Sequence, residues 1–201
     1  MAITAKPSFK LNKGLTLWLT GLSGSGKTTL AQALSRKLMD SNPLFPIEII
    51  DGDEIRRTLS KDLGFSKDDR NTNVERVGFL AGKIAKHGVL VIVPVIAPYA
   101  SGRHKARYMS ESFVEVYIKA SLETVKKRDP KGLYKQAEKG EVEHMTGLDD
   151  PYEIPANPEL IVETDKLDIE NSVRTIIEFL LGRGYIKNAS NDLKNFLKSA
   201  H

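Results

Sequence analysis

Leu15-Thr-Leu-Trp-Leu-Thr20-Gly21-Leu-Ser-Gly-Ser-Gly26-Lys27-Thr28 is the stretch that decides the fold. A short, β-rich apolar run enters a loop of glycine and serine, and Leu30, Ala31, Leu34 and Leu38 leave it with helical spacing. The loop reads G-x-x-x-x-G-K-[ST], in the strand–loop–helix context that this pattern needs. Glycines let successive backbone N–H groups curl around phosphate oxygens with no Cβ in the way. The helix N-terminus adds its positive dipole end. Gly21, Leu22, Ser23, Gly24, Ser25, Gly26, Lys27, Thr28 and Thr29 are therefore the expected triphosphate cradle. Lys27 is expected on the β- and γ-phosphates, and the Thr28 hydroxyl on Mg²⁺. The same loop serves GTPases, motor ATPases and kinases, so it points to a ligand and not yet to a reaction.

Outward from this loop, Ile47, Ile49 and Ile50 read as a second strand that ends at Asp51-Gly-Asp53. Residues 73–87 read as a helix with Val74, Val77, Leu80, Ala81, Ile84 and Ala85 on one side. The apolar run 89–95 does not alternate, as expected of a strand covered on both faces. Residues 113–118 and 160–162 read as further strands, and 122–128 and 169–181 as helices. Strands alternating with helices at this pace predict an α/β protein. The expected architecture is a three-layer sandwich of the P-loop NTPase type, with a central parallel sheet and helices on both faces. Residues 1–12 read as a loose arm, 13–186 as the domain and 187–201 as a weakly helical tail. The charged, Gly- and Pro-containing stretch 129–158 has little apolar periodicity, which in a compact domain marks a functional or mobile segment.

The chain's 201 residues, 28% of them charged, suit one domain, and the absence of cysteine excludes disulfides, Cys-ligated zinc, iron–sulfur clusters and thiol catalysis. Net charge is +4, from 30 basic and 26 acidic residues interleaved along the chain, which suits anionic small molecules better than nucleic acid. The basic run Arg103-His-Lys-Ala-Arg107 lacks interleaved aromatics and is expected to face solvent or the acceptor site. His87, His104, His144 and His201 have no ligand spacing and read as surface residues. The longest apolar run, 89–97, contains Pro94 and falls short of the ~20 residues a spanning helix needs. No membrane partner is expected, and without a signal-peptide pattern the expected location is cytoplasmic.

A GTPase would need a guanine-reading element, and Thr164-Asp-Lys-Leu-Asp168 misses it because Asp165 breaks the contiguity. Asp129-Pro-Lys-Gly132 follows a helix where a strand is required, and no acidic residue ends the run 89–95. The carboxylates instead stand at Asp51 and Asp53, where one can orient or deprotonate an incoming hydroxyl. Gly52 allows a sharp turn that aims both into one cleft; the same pair also suits a helix N-cap, and the two roles are compatible. Arg56, Arg70 and Arg76 add fixed positive charge for anion recognition.

Several further motifs follow in order along the chain. They are Asp51-Gly-Asp-Glu-Ile-Arg56, Leu63-Gly-Phe-Ser66 with Asp69-Arg70, Asn73 and Arg76, and Ala97-Pro-Tyr99. After them come Arg128-Asp-Pro-Lys-Gly-Leu-Tyr134, Thr146-Gly147, Asp150-Pro-Tyr-Glu153 and Asn157-Pro-Glu-Leu160. With the phosphate loop, this set resembles the adenylyl-sulfate kinases over residues 13–186. The resemblance implies a kinase domain that moves the γ-phosphoryl of MgATP to the 3′-hydroxyl of adenylyl sulfate. It assigns Asp53 to the acceptor hydroxyl with Asp51 beside it. It assigns Arg56, Arg70 and Asn73 to the phosphosulfate and ribose, and Phe65 to the acceptor adenine. Ile96, Ala97 and Met145 complete the implied acceptor site. Arg128, Lys131 and Lys135 are implied to fold over the triphosphate from a mobile lid at 129–158. A homodimer and functional association with an ATP sulfurylase are also implied. The sequence departs from the family at three places. Met145 stands where the family has an aromatic, Ala97 replaces a serine described as a phosphoserine intermediate, and Ala100 replaces an arginine. These changes keep two alternatives open: a kinase for another small hydroxylated acceptor, and an inert ATP-binding regulatory domain.

Overall fold

Alternation within residues 15–20 sends Leu15, Leu17 and Leu19 to one side of a sheet and Trp18 to the other. The computed structural model describes residues 8–142 and 144–189. Its strands are β1 (Phe9–Leu11), β2 (Leu15–Thr20), β3 (Ile47–Ile49), β4 (Leu90–Pro94), β5 (Phe113–Lys119), β6 (Leu160–Glu163) and β7 (Ile186–Asn188). Its helices are α1 (Lys27–Ser41), α2 (Gly52–Arg57), α3 (Lys67–Ala85), α4 (Ala100–Tyr108), α5 (Leu122–Arg128), α6 (Leu133–Glu138) and α7 (Ile169–Gly182).

Five strands make one sheet in the order β3-β4-β2-β5-β6, and every pairing in it is parallel. The leucine face of β2 packs on Leu30, Leu34 and Leu38 of α1 and Val173, Ile176 and Leu180 of α7. The Trp18 face packs on Val74, Val77 and Ala81 of α3 and Ala106 of α4. Both faces of β4 are covered, and all its residues are buried, as its unalternated sequence requires. The three-layer α/β sandwich is therefore observed. Because β2 is central while the chain runs first to the β3 side and later to the β6 side, strand order reverses at β2. Such a switch point opens a crevice at the carboxyl ends of the strands. Among the described residues no helix is long and apolar enough to cross a membrane.

Several expectations are corrected. The arm expected to be loose contains β1, which pairs antiparallel with β7 (Phe9 opposite Asn188, Leu11 opposite Ile186). Its Phe-Lys-Leu alternation buries Phe9 and Leu11 while Lys10 faces solvent. For the same reason the tail expected to be helical begins as strand; its remainder beyond residue 189 lies outside the described residues, as do residues 1–7. The helix expected from residue 73 begins at Lys67, where Ser66 accepts a hydrogen bond from the Asp69 amide as its N-cap. Its first turn, residues 67–69, is polar and largely exposed to solvent, and Arg70 lines the cleft, so apolar periodicity did not reveal this end. Residues 129–158 hold α6, whose Tyr134 is 1% exposed and packs on Val125, Ala120 and Met145.

Candidate active site

Gly26 sits at φ +101°, a left-handed conformation suited to glycine, and ends the loop without supplying a side-chain cap to α1. The first amides of α1 are thus left for a ligand. Lys27 is buried, and its Nζ donates to the carbonyls of Gly21 (2.9 Å) and Leu22 (2.7 Å). Burial first, and the nearby Lys131 second, lower its pKa to about 7, against the pull of Asp53 and Asp51. The loop is braced from outside. Thr164 Oγ1 donates to the Ser25 carbonyl (2.9 Å) and Tyr134 donates to the Ser23 carbonyl (3.1 Å). Arg128 donates through Nη2 to the Thr164 carbonyl (2.6 Å) and through Nη1 to its hydroxyl (3.1 Å). Sequence reasoning considered Thr164 only as part of a guanine-reading element. A lone threonine after a strand gives no sign of a brace.

Asp51 caps α2 and also meets the phosphate loop. Its Oδ1 accepts from the Asp53 amide (2.8 Å), capping α2, and its Oδ2 accepts from Thr28 Oγ1 (3.3 Å). The Asp53 carboxylate pairs with Lys131. Lys131, from the segment 129–158, therefore rests on the carboxylate that follows β3, a contact the sequence did not foretell.

The opposite wall carries the other expected residues. Phe65, 60% exposed, lies between two guanidiniums, Arg56 at 5.1 Å and Arg70 at 5.5 Å from its ring centre. Arg56 donates to the Gly64 carbonyl (2.7 Å) and Arg70 to the Phe65 carbonyl (2.8 Å), so both cations are held in place. Arg70 also donates to the His144 carbonyl (2.5 Å) and pairs with Asp150 (3.4 Å), joining the wall to the segment 129–158. Asn73 is buried, and its Oδ1 has no hydrogen-bond partner among the described residues. A buried acceptor of this kind is costly unless a ligand completes it.

The end of the loop, the two aspartates and the wall around Phe65 face one cleft of about 1330 Å³ at the carboxyl ends of the strands. It brings together Ser23, Gly24, Ser25, Gly26, Lys27, Thr28, Thr29, Asp51, Asp53, Arg56, Phe65, Arg70, Asn73, Ile96, Ala97, Arg128, Lys131 and Met145. Gly21 and Leu22 are not on its wall; they meet Lys27 through their carbonyls, and Leu22 packs beside Met145. Lys135 also lies off the wall. Arg76 does too, because it is paired with Asp62 (2.6 Å). Of the run 103–107, His104 and Lys105 are exposed as expected and Arg107 is partly exposed, pairing with Glu159 (2.6 Å); Arg103 departs from the expectation, being 3% exposed and paired with Glu115 (2.8 Å). His144 is exposed, as expected of a surface residue; it also lines the cleft, with its Nδ1 3.5 Å from Asp150. The sequence reading missed Leu167, Asp168, Ile169 and Ser172, which close the end of the cleft nearest α7. Their pattern is that of an ordinary helix start.

Residues 13–163 match the family described as Adenylylsulphate kinase. The chain belongs to the adenylylsulphate kinase family. It is 46% identical to an adenylyl-sulfate kinase of Gloeothece citriformis over 87% of this chain and 98% of that one. Among solved structures it is similar to the Mycobacterium tuberculosis APS kinase in complex with AMPPNP and APS. The TM-score is 0.79 at 40% identity, over 84% of this chain and 98% of that one. A hexameric APS kinase from Thiobacillus denitrificans is 37% identical with a TM-score of 0.66, over 86% of this chain and 30% of that one. Family membership makes the cleft that of an ATP-dependent phosphotransferase and removes the GTPase and motor alternatives.

Proposed function

We propose that this cleft transfers the γ-phosphoryl group of ATP to the 3′-hydroxyl of adenylyl sulfate, giving 3′-phosphoadenylyl sulfate and ADP. One observation carries the reading. The phosphate loop with Lys27 and the acceptor wall of Asp53, Arg56, Phe65, Arg70 and Asn73 open into the same cleft, in a chain of this family. The triphosphate lies along the loop amides, with Lys27 exchanging the Gly21 and Leu22 carbonyls for phosphate oxygens. The adenylyl sulfate base stacks on Phe65, its anionic centre meets Arg56 and Arg70, and a substrate hydroxyl donates to Asn73 Oδ1.

Lys131 moves from Asp53 to the phosphates as the acceptor arrives. Asp53 then receives the 3′-hydroxyl proton while the oxygen bonds to the γ-phosphorus and the β–γ bridging bond breaks toward ADP. Ala97 has no hydroxyl, so the transfer is direct and in line. Thr28 Oγ1 and Asp51 Oδ2, 3.3 Å apart, are the hard oxygen donors that suit Mg²⁺ held chiefly by phosphates. When bound, that ion neutralises charge on the β- and γ-oxygens. Arg128 and the lid over residues 129–158 exclude water, which would otherwise divert the phosphoryl group to hydrolysis.

On the family resemblance, the proposal includes a homodimer working in the cytoplasm in functional association with an ATP sulfurylase. Sedimentation velocity separates that dimer from a hexamer like the Thiobacillus relative. The decisive assay is initial-rate ADP formation from MgATP with and without adenylyl sulfate, with 3′-phosphoadenylyl sulfate measured as product. Stoichiometric product is the expected result. ATP binding without adenylyl-sulfate-dependent turnover would overturn the assignment and turn attention to another hydroxylated acceptor, consistent with Met145 and Ala100.

A further inference from the structure

Three successive carbonyls of the loop after β4 are each taken by a donor from elsewhere in the chain. Thr20 Oγ1 donates to the Ile96 carbonyl (2.6 Å), Arg103 Nη1 to the Ala97 carbonyl (2.7 Å), and the Glu153 amide to the Pro98 carbonyl (2.8 Å). Ile96, Ala97 and Pro98 line the cleft, and Ala97 is held at φ +44°, in the left-handed region. A non-glycine residue stays there only when its surroundings over-determine it. Residues 152 and 153 provide much of that restraint. The Thr20 hydroxyl spends its proton on Ile96, so the Tyr152 hydroxyl donates to Thr20 (2.9 Å). The Glu153 carbonyl accepts from Arg103 Nη2 (2.7 Å), which fixes the cation that holds Ala97. Tyr99, at the N-cap of α4, provides no side-chain cap. Glu153 Oε2 fills that role from another segment by accepting from the Ala100 amide (2.6 Å).

We propose that Glu153, which does not line the cleft, is a positioning residue for adenylyl sulfate: it clamps the Ile96-Ala97-Pro98 loop to the lid's C-terminal anchor. The proposal rests on the kinase reading above. It requires that loosening Glu153 disturbs the acceptor side and spares the ATP side, because Lys27 and the Thr164–Arg128 brace are held by hydrogen bonds to other partners.

The test compares wild type, Glu153→Ala and Glu153→Gln under steady-state kinetics with each substrate varied. Glu153→Ala is expected to raise KM for adenylyl sulfate by about fivefold, the factor that one lost capping bond carries. KM for ATP stays near wild type, and the melting temperature falls by only the roughly 2–4 °C that one lost cap gives in a chain of this size. Glu153→Gln keeps an acceptor oxygen for the Ala100 amide and restores the acceptor KM. Unchanged acceptor KM in Glu153→Ala, equal increases for both substrates, or a Gln variant that behaves like Ala would each overturn the proposal. A wild-type enzyme that does not turn over adenylyl sulfate would instead overturn the parent reading, so the two failures are distinct.

Discussion

At the scale of single residues, the least ordinary group is Lys27, an amine held at about pKa 7 by burial and a neighbouring cation. Its folded value lies below the ordinary 10.5, so the burial penalty is fully present below about pH 7 and fades as pH rises from there toward 10.5. Triphosphate favours the charged form. Calorimetry at pH 8 in buffers of different ionisation enthalpy should therefore report uptake of roughly one proton per nucleotide bound. Affinity should weaken as pH rises above 7, and Lys27→Ala should abolish the uptake and lower kcat/KM by about 10²-fold or more. The two aspartates separate by assay. Asp53→Asn should lower kcat by about 10²- to 10⁴-fold with little change in melting temperature, because its Lys131 pair is solvent-exposed. Asp51→Ala should lose activity and also about 1 kcal/mol of stability with the α2 cap, measured by urea unfolding. Most residues of the cleft were legible because their side chains carry charge or stack. Thr164 and Ser172 were not, since their work is set by which carbonyl or cavity wall the fold brings near them.

Elements with a long apolar stripe, such as α1, α7 and β4, were legible to within a residue or two. Some short or polar-faced ones were not, although α5 and β6, seven and four residues long, were. The helices α2 and α6 have six residues each and α4 nine, and β1 gains meaning only beside β7, far away in sequence. Helix packing gives a case where propensity and contact disagree. Glycine inside a helix costs about 1 kcal/mol against alanine, so Gly82→Ala in α3 should stabilise on propensity alone. A Cβ there would stand 2.0 Å from the Met109 carbonyl oxygen, a backbone atom that cannot rotate away. Overpacking of this kind costs about 1–3 kcal/mol. Gly82→Ala is therefore expected to lower the urea midpoint. Gly182→Ala, at the end of α7 with nothing within 4 Å, should leave it unchanged or raise it.

For the whole molecule, alternation of strand and helix was enough to announce a parallel sheet, yet it carried no information on how the two chain ends meet. The β1–β7 pair buries Phe9, Leu11 and Ile186 against the α1–α7 layer. Phe9→Ala should cost about 3 kcal/mol in equilibrium unfolding, while acceptor and ATP constants in the surviving folded fraction stay unchanged. That clasp also has a consequence during synthesis. Translation makes β1 long before β7, so Phe9 and Leu11 have no β-partner until Ile186 has been made. Over that interval the nascent chain carries the two apolar side chains of β1 without the strand that covers them, and the clasp can close only after α7 has emerged.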